Sequence, residues 1–496
     1  MRFKFILFLI LITITACKPR NKLNSNEQAL SKQILSEEEQ LAQEAAQRAE
    51  REKQIADSIA KLPKGFRFKE DRSIDPQNPP VIIDIQGTSE NIRDFKLSDV
   101  ASSIRYIKLE TPSDTSLLWI PPNLSDRILS VYSDDNHILI QNLFGVTRFT
   151  MDGKFRELIW KNKTGINVAQ NFVSWHPGEL FGITPNNPVS LFNGKLYMRF
   201  QDGSKGKVQI MNKEIQNEPV LNNPSKQKEA GIDTLVGNKL LSIKEKYMSF
   251  RYPLIYGLGQ NCWVGIDDSW NSVKAGTLFV VFDNNGDTLC TVANTNKITN
   301  WTKTRYRAGE PFTYYYKNHL TFIGQHADTI FRLIPPNRIL PVYVLDFGKD
   351  KVSFMEGLDP DSDLSQKLML NSIFETDKYI FIRYTRNNAS PANLKNKSVT
   401  FYNAIFDKTA NKLYHLPGQS FKTKNLGNDI DGGISFWPEF VTPNGSMMML
   451  ATGEQIKQYV NSDEFIAKKP SQNQRQKYID MANNLGNNEI VVMLVK

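Results

Sequence analysis

The chain of 496 residues holds only three cysteines, too few for a disulfide-built scaffold. Its 28 glycines and 24 prolines stay near average usage, which excludes collagen-like and low-complexity chains. Aromatic residues make up 11% and charged residues 23%, a composition that can pack a core and is too apolar for a disordered chain. The apolar run Phe5–Ile14, broken only by Thr13, is too short for a membrane-spanning helix of about 20 residues. Catalytic signatures are also missing. There is no GxSxG, no Walker loop and no GxGxxG; Gly257-Leu258-Gly259 stops short of the last. The five histidines, His137, His176, His319, His326 and His415, are spread out with no HxH or HExxH. No CxxC or Cys/His pair has zinc spacing. These absences point away from a motif-defined enzyme.

What is present begins at the N-terminus. Met1-Arg2-Phe3-Lys4 is a short basic start, and Phe5–Ile14 has the length of a signal-peptide apolar core. The run ends at Ile14-Thr15-Ala16-Cys17. Small residues before a single cysteine resemble the lipobox of bacterial lipoproteins. That resemblance implies cleavage after Ala16 and lipid attachment at Cys17, with several acyl chains making the membrane anchor durable. The other cysteines, Cys262 and Cys290, stay open between a disulfide, which an exported protein permits, and two separate buried thiols.

Residues 17–62 differ from all that follows. No Gly or Pro lies between Asn21 and Leu62, and Ala, Glu, Gln, Arg and Lys dominate, all strong helix formers. Pairs such as Glu44–Arg48 add support at helical spacing. The seven-residue rhythm of Ile34, Leu41, Ile55 and Leu62 is interrupted by Arg48, so a solvated helical tether is preferred over a coiled coil. Pro63 and Gly65 end the segment.

From residue 63 the pattern becomes short strands. Ile104–Leu109 alternates apolar and polar residues, as a half-buried strand does. Val146–Phe149 and Phe155–Ile159 flank Asp152-Gly153-Lys154, a hairpin signal. Leu278–Phe282 with Thr288–Val292, and Thr400–Phe406 with Lys412–Leu416, repeat the unit. Asn193–Phe200 and His319–Ile323, followed by Asp328–Leu333, look like further strands of the same module. Leu364–Ile373 is one short helix candidate, and no long amphipathic helix stands out after residue 62. Hairpins near 152, 285 and 409 recur about every 125–135 residues, with weaker units between them, so about six units fit the body. Strand–turn–strand repeats without helices point to an all-β propeller. Pairing of Ile490–Val495 with Ile104–Leu109 would join the two ends of such a ring and remove an open edge.

Several motifs in shared order carry a resemblance. They are Leu97-Ser98-Asp99-Val100 with Tyr106–Thr111; Phe149–Phe155; Pro177-Gly178-Glu179, with His176 in place of the usual Gly; Pro341–Gly348; Asn428–Gly433 with Phe436-Trp437-Pro438; and Asn487–Met493. Over residues 80–496 the chain resembles the six-bladed β-propeller lipoproteins of Bacteroidota, whose fold is similar to NHL-repeat propellers. The resemblance implies a fold and no general activity.

Candidate chemistry is sparse. Asp429 and Asp431 sit two positions apart, as in calcium loops, beside Trp437; without a third acid at the right spacing, a structural turn competes with a cation or ligand loop. Calcium is therefore the one cofactor considered, and none is expected. Trp263, Trp270, Trp301 and Tyr314-Tyr315-Tyr316 suit sugar stacking or partner contact, or packing between strands. The formal charge of +9 becomes +7 once Arg2 and Lys4 leave, enough to favour acidic glycans and not a sign of nucleic acid in an exported chain. Taken together, the sequence predicts a signal peptide over 1–16, a lipidated tether over 17–62 and a six-bladed propeller over 63–496. Its expected role is a binding or scaffold module of the cell envelope, with a glycan or envelope protein as partner. A hydrolase or lyase with a metal in the channel is the alternative. Lys18-Pro19-Arg20-Asn21-Lys22, with no acid before Glu27, favours the periplasmic face of the outer membrane.

Overall fold

The computed structural model describes scattered positions from 43 to 63 and then, with short gaps, residues 65–112, 130–161, 189–214, 239–241, 254–296, 312–418 and 425–496. The chain divides into two units, Met1–Leu62 and Pro63–Lys496. In the first, the described positions between Gln43 and Ile59 are helical. No described helix is long and apolar enough to cross a membrane.

The second unit is built almost wholly of antiparallel sheets. Strands β1 (Val81–Asp84) and β2 (Ile104–Lys108) come first and join sheets made from much later parts of the chain, β2 from its last strands. One sheet is β3 (Ser130–Ser133), β4 (His137–Asn142), β5 (Gly145–Thr150) and β6 (Phe155–Lys161). The next is β7 (Val189–Phe192), β8 (Lys195–Gln201), β9 (Val208–Glu214) and β10 (Lys239–Leu241). Then come β11 (Leu254–Gly259), β12 (Cys262–Ile266), β13 (Thr277–Asp283) and β14 (Thr288–Ala293). The fourth holds β15 (Phe312–Tyr316), β16 (His319–Ile323), β17 (Thr329–Ile334) and β18 (Arg338–Asp346), with β1 added parallel to β18. The fifth is β19 (Leu368–Glu375), β20 (Tyr379–Arg386), β21 (Thr400–Asp407) and β22 (Lys412–His415). The last contains β23 (Phe440–Val441), β24 (Met447–Thr452), β25 (Ile490–Val495) and β2. Five of these sheets are described with most of their side chains, and β7–β10 by its backbone.

Consecutive strands pair in order within each sheet, and the first or second strands of successive sheets touch in series. β7 meets β11, β11 meets β16, β15 meets β19, β19 meets β23 and β23 meets β3. Four-stranded meanders arrayed radially on their inner strands are a β-propeller.

The two ends of the chain meet in one sheet. β2 pairs antiparallel with β25, from Ile104 opposite Val495 to Lys108 opposite Val491. All six residues of β25 are buried, and pleat alternation explains why. Val491, Met493 and Val495 point into a core shared with Phe95, Phe381, Trp437 and Met449. Ile490, Val492 and Leu494 point the other way, into a core with Ile107, Ile138, Ile140 and Phe149. A strand covered on both faces carries no polar alternation. The Asp152-Gly153-Lys154 turn fastens the same junction. Glu110 donates its backbone N–H to the Gly153 carbonyl (2.8 Å), and a Cβ on Gly153 would fall 2.1 Å from the Lys108 carbonyl oxygen.

Before β2, residues 66–103 run along the outer edges of neighbouring sheets. Phe68 bridges Cys290, Asp71 bridges Arg338, Ile92 bridges His415 and Lys96 bridges Gly427, with β1 between them on β18.

Two expectations about helices are corrected. Leu364–Ile373 is not helical: it is a turn leading into β19. Three helices, Gly453–Val460, Asp463–Ala467 and Gln472–Asn483, fill the connection between β24 and β25. Thr452 with Gln455, and Ser471 with Gln474, form reciprocal capping boxes at two of them, and that Ser/Thr-x-x-Gln spacing is readable in the sequence.

Candidate functional site

The loop 425–437 brings together the residues singled out in the sequence but gives them different tasks. Asp429 turns toward the first turn of the helix Leu97–Val100, accepting from the Ser98 N–H (3.0 Å) and Ser98 Oγ (2.5 Å). Partial burial opposes its charge, and the Ser98 hydrogen bonds overcome that and hold the carboxyl below its usual range. Asp431 faces the other way. Its Oδ1 accepts from Asn428 Nδ2 (2.8 Å) and, at longer range, from the Tyr106 hydroxyl (3.4 Å) and Gly433 N–H (3.3 Å). Tyr478 donates to the Tyr106 hydroxyl (2.7 Å). Burial, with the Asp431 charge added, raises the Tyr106 pKa far above the phenol range, so the hydroxyl stays protonated. A Cβ on Gly433 would lie 2.2 Å from the Tyr478 hydroxyl and 2.3 Å from that of Tyr106, so only glycine fits between them.

Trp437 is buried (2% exposed). Its ring meets Phe381 edge-on at 5.6 Å, and the Arg383 guanidinium lies 5.4 Å from its centroid. Asp429, Asp431 and Trp437 therefore share a loop without converging on one point. Among the described residues, no three His, Cys, Asp or Glu side chains gather as a metal would require.

A second polar centre was not visible in the sequence. Glu375, at the end of β19, is buried, and four donors surround its carboxylate. Oε1 accepts from Lys408 Nζ (2.8 Å) and the Tyr343 hydroxyl (3.1 Å), and Oε2 from Arg332 (2.8 Å) and the Tyr314 hydroxyl (3.1 Å). Arg332, Tyr314 and Tyr343 belong to the β15–β18 sheet, and Lys408 follows β21, so the cluster locks two neighbouring sheets. The Tyr316 ring lies against both cations, 4.5 Å from the Arg332 guanidinium carbon and 4.2 Å from Lys408 Nζ. Burial lowers the Lys408 pKa, and the Glu375 charge offsets part of that. Its ammonium also donates to the Thr376 carbonyl (2.8 Å) and the Tyr316 hydroxyl (3.2 Å). All three of its protons are engaged, which suits a structural cation rather than a nucleophilic amine.

The remaining candidates are internal or lie outside the described residues. Tyr315 donates to the Gly257 carbonyl (3.0 Å), and Trp263 is buried in β12. The Tyr314–Tyr316 run thus packs between sheets. Cys262 and Cys290 are both free and buried, which decides between the two open readings. Burial pushes their thiols up to about 12 and about 11, with Asp283 and Glu70 adding to it, so neither is a ready thiolate. His415 is buried between a segment ahead of β2 and β20. Cys17, His176, Trp270 and Trp301 lie outside the described residues.

The model of a family described as "Domain of unknown function (DUF4933)" matches residues 63–462. The chain belongs to this family. The match opens where the second unit opens and stops among the helices that precede β25. No curated protein matches the sequence. Among solved structures, the chain is similar to a Bacteroides fragilis protein thought to be exported, at 13% identity over 86% of this chain and 100% of that one, with a TM-score of 0.47. It is also similar to a member of the DUF4221 family from Bacteroides vulgatus, at 8% identity over 80% and 97% of the two chains, with a TM-score of 0.38. A streptogramin B lyase follows at 8% identity over 79% and 98%, with a TM-score of 0.31. None of these likenesses bears on chemistry.

Proposed function

We propose that this member of the family is a lipid-anchored envelope protein. Its six sheets would close as six blades, and it would act as a binding or scaffold module rather than as an enzyme. The observation that carries this reading is the use made of the buried charges. Glu375 has its four acceptor positions filled from two sheets, and Asp429 caps a helix. Polar groups committed to holding elements together leave a rigid ring whose exposed loops are free to vary as a recognition surface. The proposed ligand, a glycan or an envelope protein, sits over the central face.

The anchor is Cys17, and the charged segment before Pro63 is the tether. The basic stretch after Cys17, Lys18-Pro19-Arg20-Asn21-Lys22, supports an outer-membrane anchor facing the periplasm. Labelling cells with a radioactive fatty acid tests the anchor: the wild-type chain takes up label and Cys17→Ala does not, and label retained by Cys17→Ala overturns it. Cross-linking the tagged full chain in intact cells, followed by identification of captured glycans and proteins, tests the binding role. A reproducible saturable partner supports it. Stoichiometric calcium or zinc in the purified chain, with no partner captured, would favour metal-dependent chemistry instead.

A further inference from the structure

The N-terminal segment is held to the outer edge of the β19–β22 sheet by a histidine. At the backbone, Arg93 donates to the His415 carbonyl (2.9 Å) and His415 donates to the Asn91 carbonyl (2.8 Å). The imidazole itself reaches in two directions. Nδ1 is 3.1 Å from the Tyr384 hydroxyl, and Nε2 is 3.3 Å from Thr88 Oγ1. Thr88 donates its own proton to the Asp84 carbonyl, so its oxygen accepts from Nε2–H, and Nδ1 accepts from Tyr384. Both contacts are therefore satisfied by the neutral ring in its Nε2–H tautomer. The residue is buried (4% exposed).

The groups facing the ring give a cation little support. Tyr384 comes from β20, and burial keeps its hydroxyl protonated. Tyr402 of β21 stacks on Tyr384 at 4.8 Å. Arg386, beyond Tyr384, carries a positive charge and pairs with Asp350 (3.2 Å). From the N-terminal segment comes Asp84, whose Oδ1 accepts from the Gly87 N–H (2.6 Å).

We propose that His415 is an acid-released latch: neutral, it fastens residues 88–93 to the outer edge of β22, and protonated, it lets that segment lift away. Burial depresses the imidazole to about 4, against the usual 6.5, with the Asp84 charge acting in the opposite direction. The closed state therefore binds fewer protons than the open one between those values. Closure is fully favoured above pH 6.5 and is lost as pH falls toward 4. Carboxylates have their usual range well below pH 5.5, so the interval from 7.5 to 5.5 separates histidine from carboxylate titration, and the His415→Gln variant separates His415 from the four other histidines. At pH 5.5 the open population should rise about tenfold over its value at neutral pH.

Hydrogen exchange of the full chain at pH 7.5 and 5.5, corrected for intrinsic rates, tests this. Protection in peptides covering Arg93 and His415 should fall about tenfold, while the neighbouring strand segment Ile380–Ile382 keeps its protection. In His415→Gln the acid-dependent part of the loss should vanish. Should that variant fail to fold, the wild-type response decides alone, through its confinement to the two peptides. Unchanged protection, an equal loss across the whole sheet, or the same loss in His415→Gln would overturn the proposal.

Discussion

Taking the charge from Glu375 would leave Arg332 and Lys408 without a counter-ion at a site where their side chains are only 12% and 17% exposed. Removing one partner of a buried ion pair costs about 3–5 kcal/mol, because the remaining charge stays desolvated. Glu375→Gln keeps the shape and some of the hydrogen bonds, so chemical denaturation of the full chain should show a loss near the lower end of that range. A loss below about 1 kcal/mol, typical of an exposed pair, would mean that solvent already screens the two cations. None of this was legible in the sequence, because the partners of Glu375 lie 32 to 61 residues away. The reverse happened at Asp429 and Asp431. Their spacing was plain, but residues more than 300 positions away decide what each one touches. Ser98 takes Asp429, and Tyr106 lies on Asp431. Spacing in a loop reports proximity of backbones and not the direction of side chains.

At the scale of elements, β1 offers a contrast within two residues. Ile83 is fully buried and Ile82 is 66% exposed, as the pleat requires once Ile83 sits opposite Leu345 on β18. Ile83→Ala should cost about 2–5 kcal/mol through the cavity it opens, while Ile82→Ala should stay within about 0.5 kcal/mol. Thermal or chemical unfolding of the two variants checks the register directly. Equal effects would show that β1 does not dock on β18 as described. Most strands were readable because alternation and turn residues are local signals, as at Asp152-Gly153-Lys154 and at Asp407, whose carboxylate accepts from Thr409 and Ala410. Leu364–Ile373 misled because Leu364 and Leu368 stand at helical spacing, while the short apolar run Leu368-Met369-Leu370 fits the start of a strand as well. The helix Gln472–Asn483 was missed because its outer face is polar and its buried contacts rest on Tyr478 and Ala482. A thin stripe of that kind gives little periodic signal, and the cap at Ser471 was the better clue.

At the scale of the molecule, the pairing of β2 with β25 was the long-range feature within reach of the sequence. An apolar run at the very end of the chain, far from any partner, demands burial somewhere, and a ring offers one place for it. β25 lies between β24 and β2 and contributes to two cores at once. Burying its six apolar side chains is worth about 1.5–3 kcal/mol each, an upper figure because unfolded chains already cover part of that area. The gross sum of about 9–18 kcal/mol rivals the entire net stability of about 5–15 kcal/mol that folded domains hold. Deleting Asn487–Lys496 should therefore do more than lower the melting temperature. It strips the partner from β2 and from β24, opens both cores and leaves two sheet edges to pair with other molecules. The expected result is loss of the cooperative unfolding transition, with the truncated chain recovered as aggregate. A soluble truncated chain that melts with the wild-type midpoint would show that the ring holds without its last strand.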